Sequence, residues 1–162
     1  MMLSICEPEL GTTFAQSLLD GGVEKTSTVC GVEGLDEISC AGPSHVWELT
    51  KDENGEGEID ENLVNPKNNF GLPIHLLEDE AGHILEKNAR VFIGLLYQAQ
   101  SLSSGAEKET IQEHTTVTNF VLINTLALPV VTGIAEDFKH GVGLAKENTT
   151  SRKAREALQT LR

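Results

Sequence analysis

Aromatic side chains are scarce in this sequence, with one Trp, one Tyr and five Phe among 162 residues. The core is therefore expected to be aliphatic, and a hydrophobic content of 39% excludes general disorder. Basic residues are also few. Twelve Lys and Arg stand against 25 acids, giving a formal charge of −13, the wrong sign for a phosphate backbone, so no nucleic-acid partner is expected. The cysteines, Cys6, Cys30 and Cys40, are odd in number and show no Cys-x-x-Cys spacing. Neither a disulfide framework nor a zinc site is indicated, and a reducing, cytoplasmic setting is expected. Long hydrophobic runs are missing too. The longest, "FVLINTLALPVV" at 120–131, contains Asn124 and Pro129 and falls short of the about 20 residues that span a bilayer, so no membrane partner is expected. "MMLSICEPEL" has neither the basic start nor the apolar centre of a signal peptide. For that reason "NTT" at 148–150 reads as a chance match to a glycosylation acceptor.

What is present fits one domain over residues 1–162, long enough to bury about 70% of its unfolded surface. "LSIC" (3–6) reads as a short buried strand, Pro8 opens a helix that uses Leu10, Phe14 and Leu18, and Gly21-Gly22 stops it. "TSTVC" (26–30) follows as a strand. Strand, helix and strand with tight connections form the βαβ unit of a parallel α/β sheet. "HVWEL" (45–49) and "GEIDENLV" (57–64) read as further strands joined through the hydrated acidic turn of "KDENGEGEIDEN". The predicted fold class is α/β, a partial mixed or parallel sheet flanked by helices. Beyond "NFGLP" (69–73) the pattern is helical. Leu85, Ala89, Phe92, Leu96 and Ala99 share a face of a helix starting behind Glu78, Asp79 and Glu80. "SLSSGAEKET" (101–110) is a polar break, and 117–131 is a helix apolar all round. Two amphipathic helices follow, near 136–147 with Phe138, Val142 and Ala145 inward, and near 151–161 with Ala154, Ala157, Leu158 and Leu161 inward. Arg152, Lys153, Arg155 and Arg162 read as the outer face of the last helix, with a phosphate contact as the alternative.

Ligands of a parallel α/β sheet collect beyond the carboxyl ends of its strands, which directs attention to "GVEGLDEIS" (31–39), the loop leaving "TSTVC". Adjacent carboxylates can converge in a loop on one cation, and Mg2+ takes oxygen ligands, several waters and substrate phosphates. Asp36 and Glu37 suit that role, although Asp-Glu pairs are common on surfaces and on residue type alone a solvated turn is the commoner reading. The histidines, His45, His75, His83, His114 and His140, lack metalloprotease spacing and read as structural. "HGVG" (140–143) reads as helix packing, and Asn124 as a satisfied amide that fixes packing.

In the order "SICEPEL", "FAQSLLDGGVEKTSTVCG", "GVEGLDEIS", "AGPSHVWEL", "NFGLP", "EKNARVFIGLL", "NFVLINTLAL" and "FKHGVGLAKENTTSRKAREAL", the chain resembles the C-terminal portion of the anthranilate phosphoribosyltransferases, in glycosyltransferase family 3. "GLDEIS" is the most specific of these motifs, and it separates the chain from the related nucleoside phosphorylases. The resemblance implies phosphoribosyl transfer from phosphoribosyl pyrophosphate to the amine of anthranilate, in tryptophan biosynthesis. It also implies Mg2+ on Asp36 and Glu37, and a homodimer formed through an N-terminal helical domain. The chain departs from the family in three respects. Neither the "GTGGD" pyrophosphate loop nor the Lys-His-Gly segment occurs in the sequence, and Cys30 stands where relatives commonly carry His. The chain is accordingly expected to be less than half of an enzyme and inactive alone. The rival expectation is a non-catalytic truncated paralogue that binds magnesium or a partner chain.

Overall fold

The computed structural model describes residues 1–52, 54–80, 82, 84–97, 108–151 and 153–160. Four strands, β1 (Met2–Ser4), β2 (Lys25–Gly31), β3 (Ser44–Lys51) and β4 (Gly57–Val64), form one sheet in the order β1-β2-β3-β4. β1 runs parallel to β2, pairing Met2 with Ser27 and Ser4 with Val29, and the chain between them supplies α1 (Gly11–Asp20). The expected βαβ unit is therefore present. β3 is antiparallel to both β2 and β4, which makes the sheet mixed. The acidic turn closes that hairpin. Asp52 accepts hydrogen bonds from the backbone N–H of Asn54 at 2.9 Å and of Glu56 at 2.7 Å, and these bonds hold its carboxyl below the usual range.

Alternation along the strands sends the two faces of the sheet to different helices. On one face Cys30, Trp47 and the partly buried Ile5 and Ile59 pack with Ala15 of α1. On the other, Val29, Val46 and Val64 join Leu122, Ile123 and Leu126 of α4 (Lys108–Val131) and Val142 and Ala145 of α5 (Phe138–Thr150). The core is thus aliphatic in the main, with Phe70 packed against Phe138, the rings tilted at 51° and 4.8 Å between centroids.

The packed face of α1 differs from the expected one. Leu10 and Phe14 are exposed, whereas Gly11 and Ala15 are buried. A β-carbon added at Gly11 would overlap the Trp47 indole, so close approach of helix to sheet selects small residues there and turns the large ones outward. Gly22, at φ +87°, takes the left-handed position after the helix, as the paired glycines suggest.

The helices after the sheet correct several expectations. Glu78 and Asp79 sit in a separate single turn, α2 (Leu77–Glu80), ahead of α3 (Leu85–Tyr97). Leu85 is 80% exposed and Ala89 and Phe92 are exposed, while Leu95 is buried. α4 starts at Lys108, inside the stretch read as a polar break. Its all-round apolar composition is not matched by all-round burial, since Val121 and Leu128 are exposed. α5 buries Val142 and Ala145 as expected, with Asp137 capping it through the N–H of His140 at 2.7 Å. α6 (Lys153–Thr160) buries no residue, so Ala154 and Ala157 do not face a core. His83, Ala99, residues 101–107, Arg152, Leu161 and Arg162 lie outside the described residues, as does the side chain of His114.

Candidate functional site

Residues 32–43 connect β2 to β3 at the carboxyl end of β2, where the sequence places the candidate site. Local bonds shape the connection. The Gly31 N–H donates to the Leu35 carbonyl at 2.7 Å, the Gly34 N–H to the Gly31 carbonyl at 2.9 Å, and Gly34 takes φ +83°. The Val32 N–H reaches the Pro43 carbonyl at 3.1 Å and closes the base of the loop. Ser44 Oγ accepts from the Ser39 N–H at 2.9 Å. Behind the acids, Ile38, Ser39 and Cys40 are fully buried. Asp36 is exposed and Glu37 half-buried, so the pair stands at the boundary between core and solvent.

Glu37 feels that position. Burial, and after it the charge of Asp36, pushes its carboxyl above the ordinary range. Among the described residues neither carboxylate has a hydrogen bond or ion pair. No group of three or more His, Cys, Asp or Glu among them is placed to hold a metal ion. Two unpaired, mutually repelling carboxylates cannot form an all-protein cage, but they match the way Mg2+ binds through one or two carboxylates with waters and phosphates. An ion there would offset both the burial and the repulsion that raise Glu37.

Asn124 of α4 reaches this loop. Its Oδ1 accepts the Ile38 N–H at 2.9 Å, and its Nδ2 donates to the Ile38 carbonyl at 3.0 Å and to the Phe120 carbonyl at 3.1 Å. The amide is satisfied, as expected from an Asn within an apolar run.

A second polar connection was not apparent in the sequence. The His75 N–H donates to the Cys40 carbonyl at 3.0 Å, so residues 71–76 lie against the end of the acid loop. Asn119 Nδ2 lies 2.9 Å from His75 Nε2, and Thr116 Oγ1 lies 2.9 Å from Nδ1. A neutral imidazole with its proton on Nδ1 satisfies both contacts. The available signal was Thr116 and Asn119, two polar residues one turn apart entering an apolar helix. Burial holds the His75 pKa below its ordinary 6.5, opposed by the charge of Asp79. The unfolded chain therefore binds a proton that the folded chain refuses. This contribution to stability is complete above 6.5 and is lost as pH falls through the lowered folded pKa. Urea midpoints measured at about pH 7.5 and about pH 5 should fall more steeply for the wild type than for His75→Gln. Equal pH dependence in the two proteins would remove His75 as the cause.

Two further histidines have local partners. His45 stacks on Trp47 with centroids 5.4 Å apart and lies 3.2 Å from Glu61. His140 Nδ1 accepts from the Glu136 N–H at 3.3 Å near the start of α5. Within "HGVG", a β-carbon at Gly141 would stand 3.2 Å from Leu126 Cβ, which places that motif in the packing of α4 against α5. At the far end, Lys153 pairs with Glu147 at 3.5 Å on an exposed surface. No helix among the described residues is long and apolar enough to cross a membrane.

The sequence matches the profile described as glycosyl transferase family, a/b domain, over residues 1–155. It is 33% identical to the anthranilate phosphoribosyltransferase of Schizosaccharomyces pombe over 150 residues, covering 93% of this chain and 38% of that protein. The anthranilate phosphoribosyltransferase of Desulfosudis oleivorans is 32% identical over 160 residues, covering 99% of this chain and 42% of that protein. Among solved structures, the Saccharomyces cerevisiae anthranilate phosphoribosyltransferase in complex with 4-fluoroanthranilate superposes with a TM-score of 0.77 at 25% identity, covering 98% of this chain and 40% of that one. A variant of the same yeast enzyme with Mg bound gives the same TM-score and identity. The chain thus spans about two fifths of the length of the relatives it matches. With a profile match running from residue 1 to 155 and a mixed sheet shared with those structures, the chain belongs to the glycosyl transferase family through that family's α/β domain.

Proposed function

We propose that this chain is the Mg2+-holding α/β domain of an anthranilate phosphoribosyltransferase, acting in the cytoplasm in tryptophan biosynthesis. The observation that carries this reading is the pair Asp36 and Glu37, unpartnered among the described residues and presented by an ordered loop at the carboxyl end of β2. In the reaction the amine of anthranilate attacks C1 of phosphoribosyl pyrophosphate, and pyrophosphate departs. When bound, Mg2+ neutralises charge on the departing group. Asp36 faces solvent, from which ion and phosphates arrive, while Glu37 anchors the pair at the buried end of the loop. Anthranilate is itself the nucleophile, so no side chain of this domain need become one. Turnover further requires a cradle for the pyrophosphate, which in this reading lies in sequence that the relatives possess beyond the matched two fifths. The same stretch would supply the contacts of a homodimer.

The second reading is a non-catalytic paralogue in which the exposed Asp36 and the half-buried Glu37 bind magnesium or a partner chain. A chimera separates the two. This chain would replace the matching segment of the Schizosaccharomyces pombe enzyme, and loss of anthranilate fluorescence would be followed with phosphoribosyl pyrophosphate and Mg2+. Turnover is expected, and Asp36→Ala or Glu37→Ala should lower kcat/KM by about 100-fold or more, about 2.7 kcal/mol of barrier. A folded chimera without turnover, or one indifferent to both substitutions, would defeat the catalytic reading.

A further inference from the structure

A side chain that the reaction itself does not use helps fasten the acid loop to the helical layer. Asn124 pairs with both the N–H and the carbonyl of Ile38, at 2.9 and 3.0 Å, across 86 positions of sequence. The carboxamide thereby imitates a neighbouring strand, engaging donor and acceptor of a single residue at once. Ile38 follows Glu37 directly and is 1% exposed, so its backbone fixes where the Glu37 carbonyl and Cα lie. The third bond, from Nδ2 to the Phe120 carbonyl at 3.1 Å, holds the amide against its own helix and sets its orientation. Leu122, Ile123 and Leu126 lock that helix against the sheet, so the clamp stands on a rigid base.

We infer that Asn124 is a positioning residue for the Mg2+ site, holding Asp36 and Glu37 in the arrangement that binds the ion; this rests on the metal reading proposed above. A merely structural role would be a local one. Asn124 would then satisfy Ile38 and contribute to global stability, with no effect on the shape of residues 31–37. A positioning role extends to bonds Asn124 does not make, in particular Gly31 N–H to Leu35 O and Ser39 N–H to Ser44 Oγ. Side chains that orient metal ligands from behind typically change metal affinity by about 10–100-fold when replaced.

Two measurements on the full chain test the inference, using Asn124→Leu and, as a polar isostere that lacks the donor, Asn124→Asp. Residue-resolved amide hydrogen exchange should speed up at Gly31 and Ser39 as well as at Ile38, while Val29 and Val46 in the strands keep their protection. Exchange accelerated at Ile38 alone would overturn the positioning role, whether or not a metal binds. Mn2+, titrated by electron paramagnetic resonance as the probe ion, should bind the variants about 10–100-fold more weakly than the wild type. Ala15→Gly, in the separate cluster between α1 and the opposite face of the sheet, controls for lost stability and should leave Mn2+ affinity unchanged. Unchanged affinity in folded Asn124 variants would overturn the inference. A wild type that binds no Mn2+, or binds it equally well after Asp36→Asn with Glu37→Gln, would instead overturn the metal reading, and amide exchange would still decide the role of Asn124.

Discussion

Trp47→Ala is expected to destabilise the chain by about 3–5 kcal/mol in urea unfolding, a large part of the about 5–15 kcal/mol that holds a typical domain. Trp47 is 1% exposed and forms the floor on which α1 lies, between Ala15 and Cys30 on one side and the stacked His45 ring on the other. Truncation leaves a void that neither a helix tethered by short connections nor a hydrogen-bonded strand can close. The indole also carries a cost of its own, because Nε1 is buried without a hydrogen-bond partner among the described residues. Trp47→Phe should accordingly lose much less than Trp47→Ala, since it removes the orphaned N–H together with part of the ring. Gly11 supplies the coupled test. Gly11→Ala places a β-carbon into the indole and should cost about 1–3 kcal/mol in the wild type. In the Trp47→Ala background the same substitution should become neutral or favourable, filling space that the indole vacated. Additivity within about 0.5 kcal/mol would show that the two residues do not oppose each other.

Ile123→Ala is expected to cost about 2–5 kcal/mol, whereas Val121→Ala, two residues away on the same helix, should stay within about 0.5 kcal/mol. The contrast follows from position. Ile123 is fully buried between Val29 and Val46 of the sheet and the helical layer, while Val121 is 42% exposed. Both are β-branched, so loss of χ1 stiffness and helix propensity changes nearly equally and cancels from the comparison. Comparable losses for the two variants, read from urea midpoints at constant slope, would mean that α4 is covered on both sides in solution.

These pairs also show why some of the fold could be read from residues and some could not. β2 and β3 were legible because β-branched and aromatic residues cluster between turn-forming stretches, and β4 as the partner of β3 across the acidic turn. The inward face of α5 was legible because Val142 and Ala145 lie against a helix that is itself apolar. On α1 and α3, periodicity selected Leu10, Phe14, Leu85 and Phe92, and all four are exposed. A periodic stripe identifies a face able to pack but not the surface it meets, and around α1 the size of Trp47 gives the contact to Gly11 and Ala15. The acid loop was found through a general rule about strand ends and through "GLDEIS". Its supports were harder to see, since His75 with Asn119, and Ile38 with Asn124, are joined across 44 and 86 positions. Spacing rules of three or four residues carry no information at that range.

The distance spanned by Asn124 has a kinetic side. The β3–β4 hairpin and the helices form from near neighbours, whereas the clamp closes only after α4 has docked on the sheet, and contacts of long sequence separation form late because their loop-closure entropy is large. During synthesis Ile38 and the acids before it leave the ribosome long before Asn124 exists to hold the Ile38 backbone. Until then the loop is an ordinary acidic connection whose two charges can move apart. On the metal reading proposed above, the ion-binding arrangement would be among the last features the chain acquires, and a nascent or partly folded molecule would have little hold on the cation.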